Sequence, residues 1–313
     1  MIFLAVGLFF AGTILTIKGG DVFIDAAVWM SDVTGISKVV IGATIVSLAT
    51  TSPEYFVSTI ATIKGYSDLS IGNAVGSLSA NLGIAFAILA VFTPGVINDR
   101  LFGVKGLIMI LATTALLFFC SNGSLSVADG IILLLFLAVS VYVNIRYSKD
   151  SEESKERKQT NPRDITINAV KFVGGAAAIV YGSNLIVDNG KAIATFLGVS
   201  ETIIGITFVA IGTSLPEVVT SISAIVKKQN ALSIGNIIGA NIIDATLILA
   251  TGSFVTGGNL TVSQSTAKID IPATIALMAL AVLPTAIGKK IYRWQGLLLV
   301  CLYTVYLSYV VLG

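Results

Sequence analysis

Apolar residues run through this chain in long blocks, with polar positions gathered at the block ends. The blocks begin near Ile2, Val40, Leu69, Val104 and Ala128, and again near Ile167, Ile203, Leu232, Ile271 and Gln295. Each continues for roughly 17 to 25 residues, the length a helix needs to cross the hydrocarbon of a bilayer. The pattern predicts an all-α polytopic membrane protein with ten transmembrane helices. Lys18 and Asp21 cut the first block short, and Asn184 and Asp188 the sixth. Both are therefore expected to be long tilted helices whose polar ends reach the interface. Residues 147–163, between the fifth and sixth blocks, are charged and nearly free of apolar side chains. They predict a solvated linker.

The ten blocks are two sets of five. An offset of 163 positions pairs Gly19 with Gly182, Gly35 with Gly198, Gly42 with Gly205, Asn73 with Asn236 and Gly76 with Gly239, with no insertion. Chance alignments of apolar sequence match Leu, Ile and Val but rarely keep Gly, Asn, Pro and Glu in register, so the chain reads as an internal duplication. One copy occupies 1–146 and the other 164–313. Five spans per copy is an odd number, so the second copy enters the membrane from the opposite face and the repeats are inverted.

Composition agrees with the block pattern. Hydrophobic residues make up 55% and charged residues 12%, His is absent, and the mean hydropathy is +0.92. Such a chain lacks the polar surface of a soluble domain of this length. Of the nineteen Lys and Arg residues, sixteen fall on one side of the predicted topology, leaving Lys64, Lys191 and Lys268 on the other. Positive charge marks the cytoplasmic side. This places the 147–163 loop in the cytoplasm and both termini outside, and a chain this compact is expected in the plasma (inner) membrane of a prokaryote. No cleavable targeting segment is read at the start. Cys120 and Cys301 read as small core residues. Tyr292, Trp294, Tyr303, Tyr306 and Tyr309 read as interfacial anchors of the last helix. The lipid bilayer is the expected partner, with no nucleic acid and no obligatory protein partner.

Polar residues within the blocks carry the chemistry. Thr50-Thr51-Ser52-Pro53-Glu54 and Thr213-Ser214-Leu215-Pro216-Glu217 each set a glutamate near mid-span, where an ionisable group marks a functional site by default. Proline at the first helical position has no amide hydrogen to leave unpaired, and the hydroxyls before it can cap exposed amides. Helices 2 and 7 are therefore predicted to be discontinuous. Carbonyls freed upstream and amides freed downstream would line a cavity, and inversion lets Glu54 and Glu217 face each other at the midplane. The plainer alternative is a kinked helix whose glutamate pairs with a base, but no Lys, Arg or His falls at that depth. Carboxylates with hydroxyl and carbonyl oxygens suit hard cations such as Ca²⁺ and Na⁺.

The next helix of each repeat carries Gly72-Asn73-Ala74-Val75-Gly76-Ser77 or Gly235-Asn236-Ile237-Ile238-Gly239-Ala240. The glycine pairs predict close helix packing. Ser77 and Asn81 follow on one face, with repeat mates Ala240 and Asp244. Asp244 is a third buried carboxylate, expected to face Asn81 in a polar layer continuous with the glutamates.

With these motifs in place, the blocks 42–81 and 205–244 resemble the alpha-1 and alpha-2 repeats of the cation/Ca²⁺ exchanger superfamily. The whole chain is similar to that superfamily's compact prokaryotic Na⁺/Ca²⁺ exchangers. The resemblance implies a secondary active antiporter rather than an enzyme, without a cofactor, exchanging Ca²⁺ for Na⁺ by alternating access. It also implies that Glu54 and Glu217 hold Ca²⁺ with oxygens of Thr50 and Thr213, and share in holding Na⁺. Ser77, Thr51 and Ser214, with the carbonyls of Ser47 and Ala210, would complete the Na⁺ positions, and Asn81 and Asp244 would line the middle one. The chain departs from the family pattern at Ala49-Thr50-Thr51-Ser52-Pro53-Glu54, where Gly-Thr-Ser-Leu-Pro-Glu is usual, and at Ala240, where Ser is usual. An antiporter of the same superfamily coupled to H⁺ or K⁺, or carrying another cation, therefore stays open. A channel lacks support because no carbonyl filter such as Thr-Val-Gly-Tyr-Gly is present. An intramembrane hydrolase would rest only on the paired acids.

Overall fold

The computed structural model describes residues 2–97, 101–147, 160–196, 212 and 214–312. The helices are α1 (Ile2–Thr34), α2 (Lys38–Thr50), α3 (Ser52–Ile63), α4 (Ser67–Phe92), α5 (Phe102–Cys120), α6 (Val127–Tyr147), α7 (Pro162–Phe196), α8 (Leu215–Val226), α9 (Asn230–Val255), α10 (Thr266–Gly288) and α11 (Arg293–Leu312). Among the described residues, seven of them (α1, α4, α5, α6, α7, α9 and α10) are long and apolar enough to cross a membrane, and α2 and α8 are shorter apolar helices. The chain is an all-α polytopic membrane protein. Nine of the ten blocks start within five residues of a helix start. The tenth, near Ile203, lies outside the described residues.

Helices α1 and α7 have 33 and 35 residues, about 50 Å each at 1.5 Å per residue. That exceeds a hydrocarbon core of ~30 Å, so tilt or protrusion follows. They cross in close contact and run antiparallel. A Cβ on Gly12 would sit 2.8 Å from the Gly182 carbonyl oxygen, and one on Gly19 3.0 Å from that of Gly175. Phe3, Phe10, Ile14, Val170 and Val173 stay exposed on this pair, as lipid-facing side chains are. By contrast α9 is almost wholly enclosed and α4 largely so. The main core packs Leu78, Phe86, Ile237, Met278 and Leu299 between them and the neighbouring helices.

Two short antiparallel bridges join loops of the two halves. Gly95–Val96 (β1) pairs with Lys290–Ile291 (β4), and Ser124–Leu125 (β2) with Leu260–Thr261 (β3). The duplication also shows in the turns that end α3 and α8. Gly65 and its mate Lys228 both have positive φ, +81° and +58°. The following amides, of Tyr66 and Gln229, close on the carbonyls of Ala61 and Ala224 at 2.8 and 2.7 Å, as left-handed helix caps do.

Three expectations are corrected in the last two helices. Cys301 is exposed, unlike the buried Cys120. Tyr303 is buried and stacked so close to Gly83 that no Cβ would fit there. Tyr306 turns inward and donates from its hydroxyl to Asp270 Oδ1 at 3.0 Å. The Tyr303 ring fills the space left at Gly83, while Trp294 and Tyr309 stay exposed. Pro284 lies inside α10 and has no amide to offer the Leu280 carbonyl. Gln295 Nε2 from α11 supplies the missing donor, at 3.0 Å to Leu280 and 3.3 Å to Ala281.

Candidate cation site

The break between α2 and α3 is confined to Thr51, with φ −82° and ψ −2°, and α8 starts after Ser214 at φ −85° and ψ 2°. Glu54 and Glu217 occupy the first turns that follow and are both buried, 1% exposed. That position sets each carboxylate at the positive end of a helix. The hydroxyls before the prolines do not cap these helices, against expectation. The Tyr55 amide already reaches the Thr51 carbonyl at 3.0 Å, and the Val218 amide that of Ser214 at 3.1 Å. With the amides engaged and proline offering none, the hydroxyls turn to other acceptors. Thr51 Oγ1 donates to Glu217 Oε1 at 3.0 Å, a bond between the two halves of the chain. Thr50 Oγ1 donates to Asn236 Oδ1 or the Ser47 carbonyl, each at 3.3 Å. The same Ser47 carbonyl accepts from the Thr51 amide at 2.9 Å.

Helix α9 reaches this region because its glycines leave room. A Cβ on Gly235 would lie 2.1 Å from the Val39 carbonyl oxygen, and one on Gly239 2.6 Å from that of Ala43. The backbones of α2 and α9 therefore touch along the Gly-Asn motif. Within α4 and α9 the turns widen to π geometry at equivalent places, starting at Asn81 and at Asp244. Such turns recur at functional sites. Asn81 does not pair with Asp244: its Nδ2 donates to Asn241 Oδ1 at 3.0 Å. Asn241 went unnoticed because its repeat mate is Leu78, so the duplication gave no signal there. Asn73 Nδ2 donates to Ser58 Oγ at 3.0 Å and the Glu54 carbonyl at 3.4 Å, which tethers α4 to the first turn of α3.

Glu54, Glu217 and Asp244 lie close enough for their charges to act on one another. Among the described residues, both oxygens of Glu54, Oε2 of Glu217 and both oxygens of Asp244 are buried without a hydrogen-bond partner. Ser77 Oγ, Asn81 Oδ1, Ser214 Oγ and Asn73 Oδ1 are in the same position. Native interiors leave few such atoms unpaired, so an oxygen-lined centre this rich in orphaned acceptors suits a hard cation. Among the described residues no three His, Cys, Asp or Glu side chains converge as a metal cluster. Neutral oxygens must therefore make up much of any coordination shell. Ser47, Thr50, Thr51, Glu54, Ser77, Asn81, Ser214, Glu217 and Asp244 are each buried. Ala210 and Thr213 lie outside the described residues.

The sequence model of the sodium/calcium exchanger protein family matches twice, over residues 4–146 and 167–312. The chain is 31% identical over 313 residues, the whole of both proteins, to an uncharacterized membrane protein of Methanocaldococcus jannaschii. It is 28% identical, over 95% of each chain, to the sodium/calcium exchanger MaX1 of Methanosarcina acetivorans. A solved structure of the sodium-calcium exchanger NCX_Mj, soaked with Na⁺ and Sr²⁺, superposes with a TM-score of 0.86 at 30% identity, covering 98% of this chain and 99% of that one. Duplicated carboxylates in the first turns of two helices are therefore found in a chain that belongs to the sodium/calcium exchanger protein family.

Proposed function

We propose that this protein is a secondary active antiporter exchanging Ca²⁺ for Na⁺ at a midplane site built by Glu54 and Glu217, which opens to the two faces in turn. The observation that carries this reading is the set of five buried carboxylate oxygens, on Glu54, Glu217 and Asp244, that have no hydrogen-bond partner. An uncompensated buried charge costs several kcal/mol, and an incoming cation removes that cost. Thr50, Thr51, Thr213, Ser77, Ser214 and Asn81, with the carbonyls of Ser47 and Ala210, supply neutral oxygens around it.

Charge sets the exchange. Three ionised carboxylates carry a formal −3, which three Na⁺ neutralise, whereas one Ca²⁺ leaves a single negative charge. In the Ca²⁺ form Asp244 is then protonated or hydrated. Because the same carboxylates serve both ions, occupancy by one excludes the other, and each crossing carries one kind. The similarity to the sodium/calcium exchangers MaX1 and NCX_Mj supports this choice of ions. The layout we infer is ten spans in two inverted repeats, 1–146 and 164–313, in the plasma membrane, with the 147–163 loop in the cytoplasm and both termini outside. The excess of basic residues on one side supports that orientation.

The test is flux in proteoliposomes. Radiolabelled Ca²⁺ uptake should follow an imposed Na⁺ gradient and ignore an imposed pH gradient. Uptake that follows the pH gradient alone overturns Na⁺ coupling, and fast flux independent of either gradient overturns antiport.

A further inference from the structure

The repeat offset maps one ion pair onto two residues that stand apart. Lys227 caps the end of α8, and its Nζ lies 2.7 Å from Asp25 Oδ1 on α1. Their repeat mates are Lys64, which caps α3, and Asp188 on α7. The two caps share one backbone form, φ −81° and ψ 0° at Lys64 against φ −82° and ψ 6° at Lys227. Yet no ion pair joins Lys64 to Asp188.

Packing around the two places differs in the same sense. Gly20 of α1 lies so close to α8 that a Cβ would meet Ser223 Oγ at 2.6 Å and Val219 at 3.2 Å. The equivalent place, between α7 and α3, is a cavity of about 210 Å³ lined by Pro53, Val57, Ser183, Asn184, Asp188 and Pro216. Ser183 is the repeat mate of Gly20, and its buried hydroxyl has no partner. The cavity reaches both prolines that precede the site glutamates. The molecule is shut where the ion pair is made and open where it is not.

We propose that Asp25–Lys227 and Asp188–Lys64 are alternating latches, one made in each access state of the exchanger. This rests on the antiport reading and extends it to the residues that hold each side closed. When α7 closes on α3, Asp188 meets Lys64 and Asp25 parts from Lys227. Matched latches keep the two states close in energy, so that bound ions rather than the scaffold decide which is populated. Asp25 is 61% exposed and Lys227 26%, so each latch biases the equilibrium by up to about five-fold.

The test uses cysteine pairs in the full chain, reconstituted in liposomes with Cys120→Ser and Cys301→Ser and a protease site in the 147–163 loop. Each latch joins the two halves, so after cleavage a cross-link is read as halves that stay together. Asp25→Cys with Lys227→Cys and, separately, Asp188→Cys with Lys64→Cys should both cross-link, each blocking exchange until reduced. With all four cysteines present, a single molecule should carry one cross-link or the other. Asp25→Asn should raise cross-linking of the 188/64 pair by up to about five-fold. Failure of that pair to cross-link in Na⁺, in Ca²⁺ and in ion-free buffer, while the 25/227 pair does, overturns the proposal, as do both cross-links in one molecule. Cross-linking needs no flux, so loss of Na⁺-driven Ca²⁺ uptake in the unaltered protein would remove the antiport reading and still leave the latches decided.

Discussion

Helices α4 and α9 descend from one sequence, yet they now differ in chemistry at equivalent positions. The Gly-Asn motif of α9 lies against α2, that of α4 is tied through Asn73 to α3, and both helices widen into π turns at the same register. Their side chains diverge where the orphaned oxygens lie: Ser77 and Asn81 on α4 stand against Ala240 and Asp244 on α9. Duplication kept the backbone that makes a buried polar space and changed the charge within it. A strictly symmetric site would offer two equal halves to an ion. The proposed site has a carboxylate on one side and an amide on the other, which would make its ion positions inequivalent.

The strongest way to break the comparison is to neutralise the acidic pair that remained identical, Glu54 and Glu217. Glu54→Gln or Glu217→Gln should each lower exchange by about a hundred-fold or more while leaving a folded monodisperse protein, roughly two factors of ten in ion stabilisation at ~1.4 kcal/mol each. Flux and size-exclusion profiles measured together check this. Exchange above half the unaltered rate in either variant would remove the site. Next in size is Asp244→Asn, which makes α9 match α4. It should cut Na⁺-driven flux about ten-fold and weaken the apparent Na⁺ affinity more than that for Ca²⁺, because the third negative charge balances the third Na⁺. Equal loss for both ions would argue against the charge count.

Smaller effects sharpen the same contrast. Asn241→Leu restores the residue found at its repeat mate and leaves the Asn81 amide without its acceptor. About 1–3 kcal/mol of stability should be lost, read as an earlier thermal transition in detergent. An unchanged transition would mean that Asn81 finds another partner. Ala240→Ser adds the hydroxyl that Ser77 supplies on the other side, and should change the Na⁺ concentration for half-maximal exchange by only a few-fold. No change in Na⁺ dependence would show that position 240 lies off the ion path.

Much of the architecture was legible in the sequence because bilayer length and repeat register are strong constraints. Apolar blocks located the described helices, and the Pro-Glu motifs located the break before α3 and the start of α8, the stretch before Ser214 lying outside the described residues. Side-chain partners were less legible. The hydroxyls of Thr50 and Thr51 looked like caps, since Ser and Thr before a helix usually are, but the short break left few amides to cap and the opposite half offered better acceptors. Asn241 was invisible to an offset that searched only for matches. Tyr303 and Tyr306 looked interfacial by position in the chain, but the absence of a side chain at Gly83 and the acceptor on Asp270 drew them inward. A local pattern reports a residue's preference, and a neighbouring helix decides which preference is met.

The bond from Gln295 to the Leu280 carbonyl bears on the order of assembly. During synthesis α10 emerges with Pro284 inside it and a Leu280 carbonyl that lipid cannot satisfy. Only α11, made after α10, brings the amide that answers it, together with the rings that seat against Gly83 and Asp270. Helix α11 thus acts as a keystone for α10, whose Leu280 carbonyl stays unanswered until translation has reached Gln295.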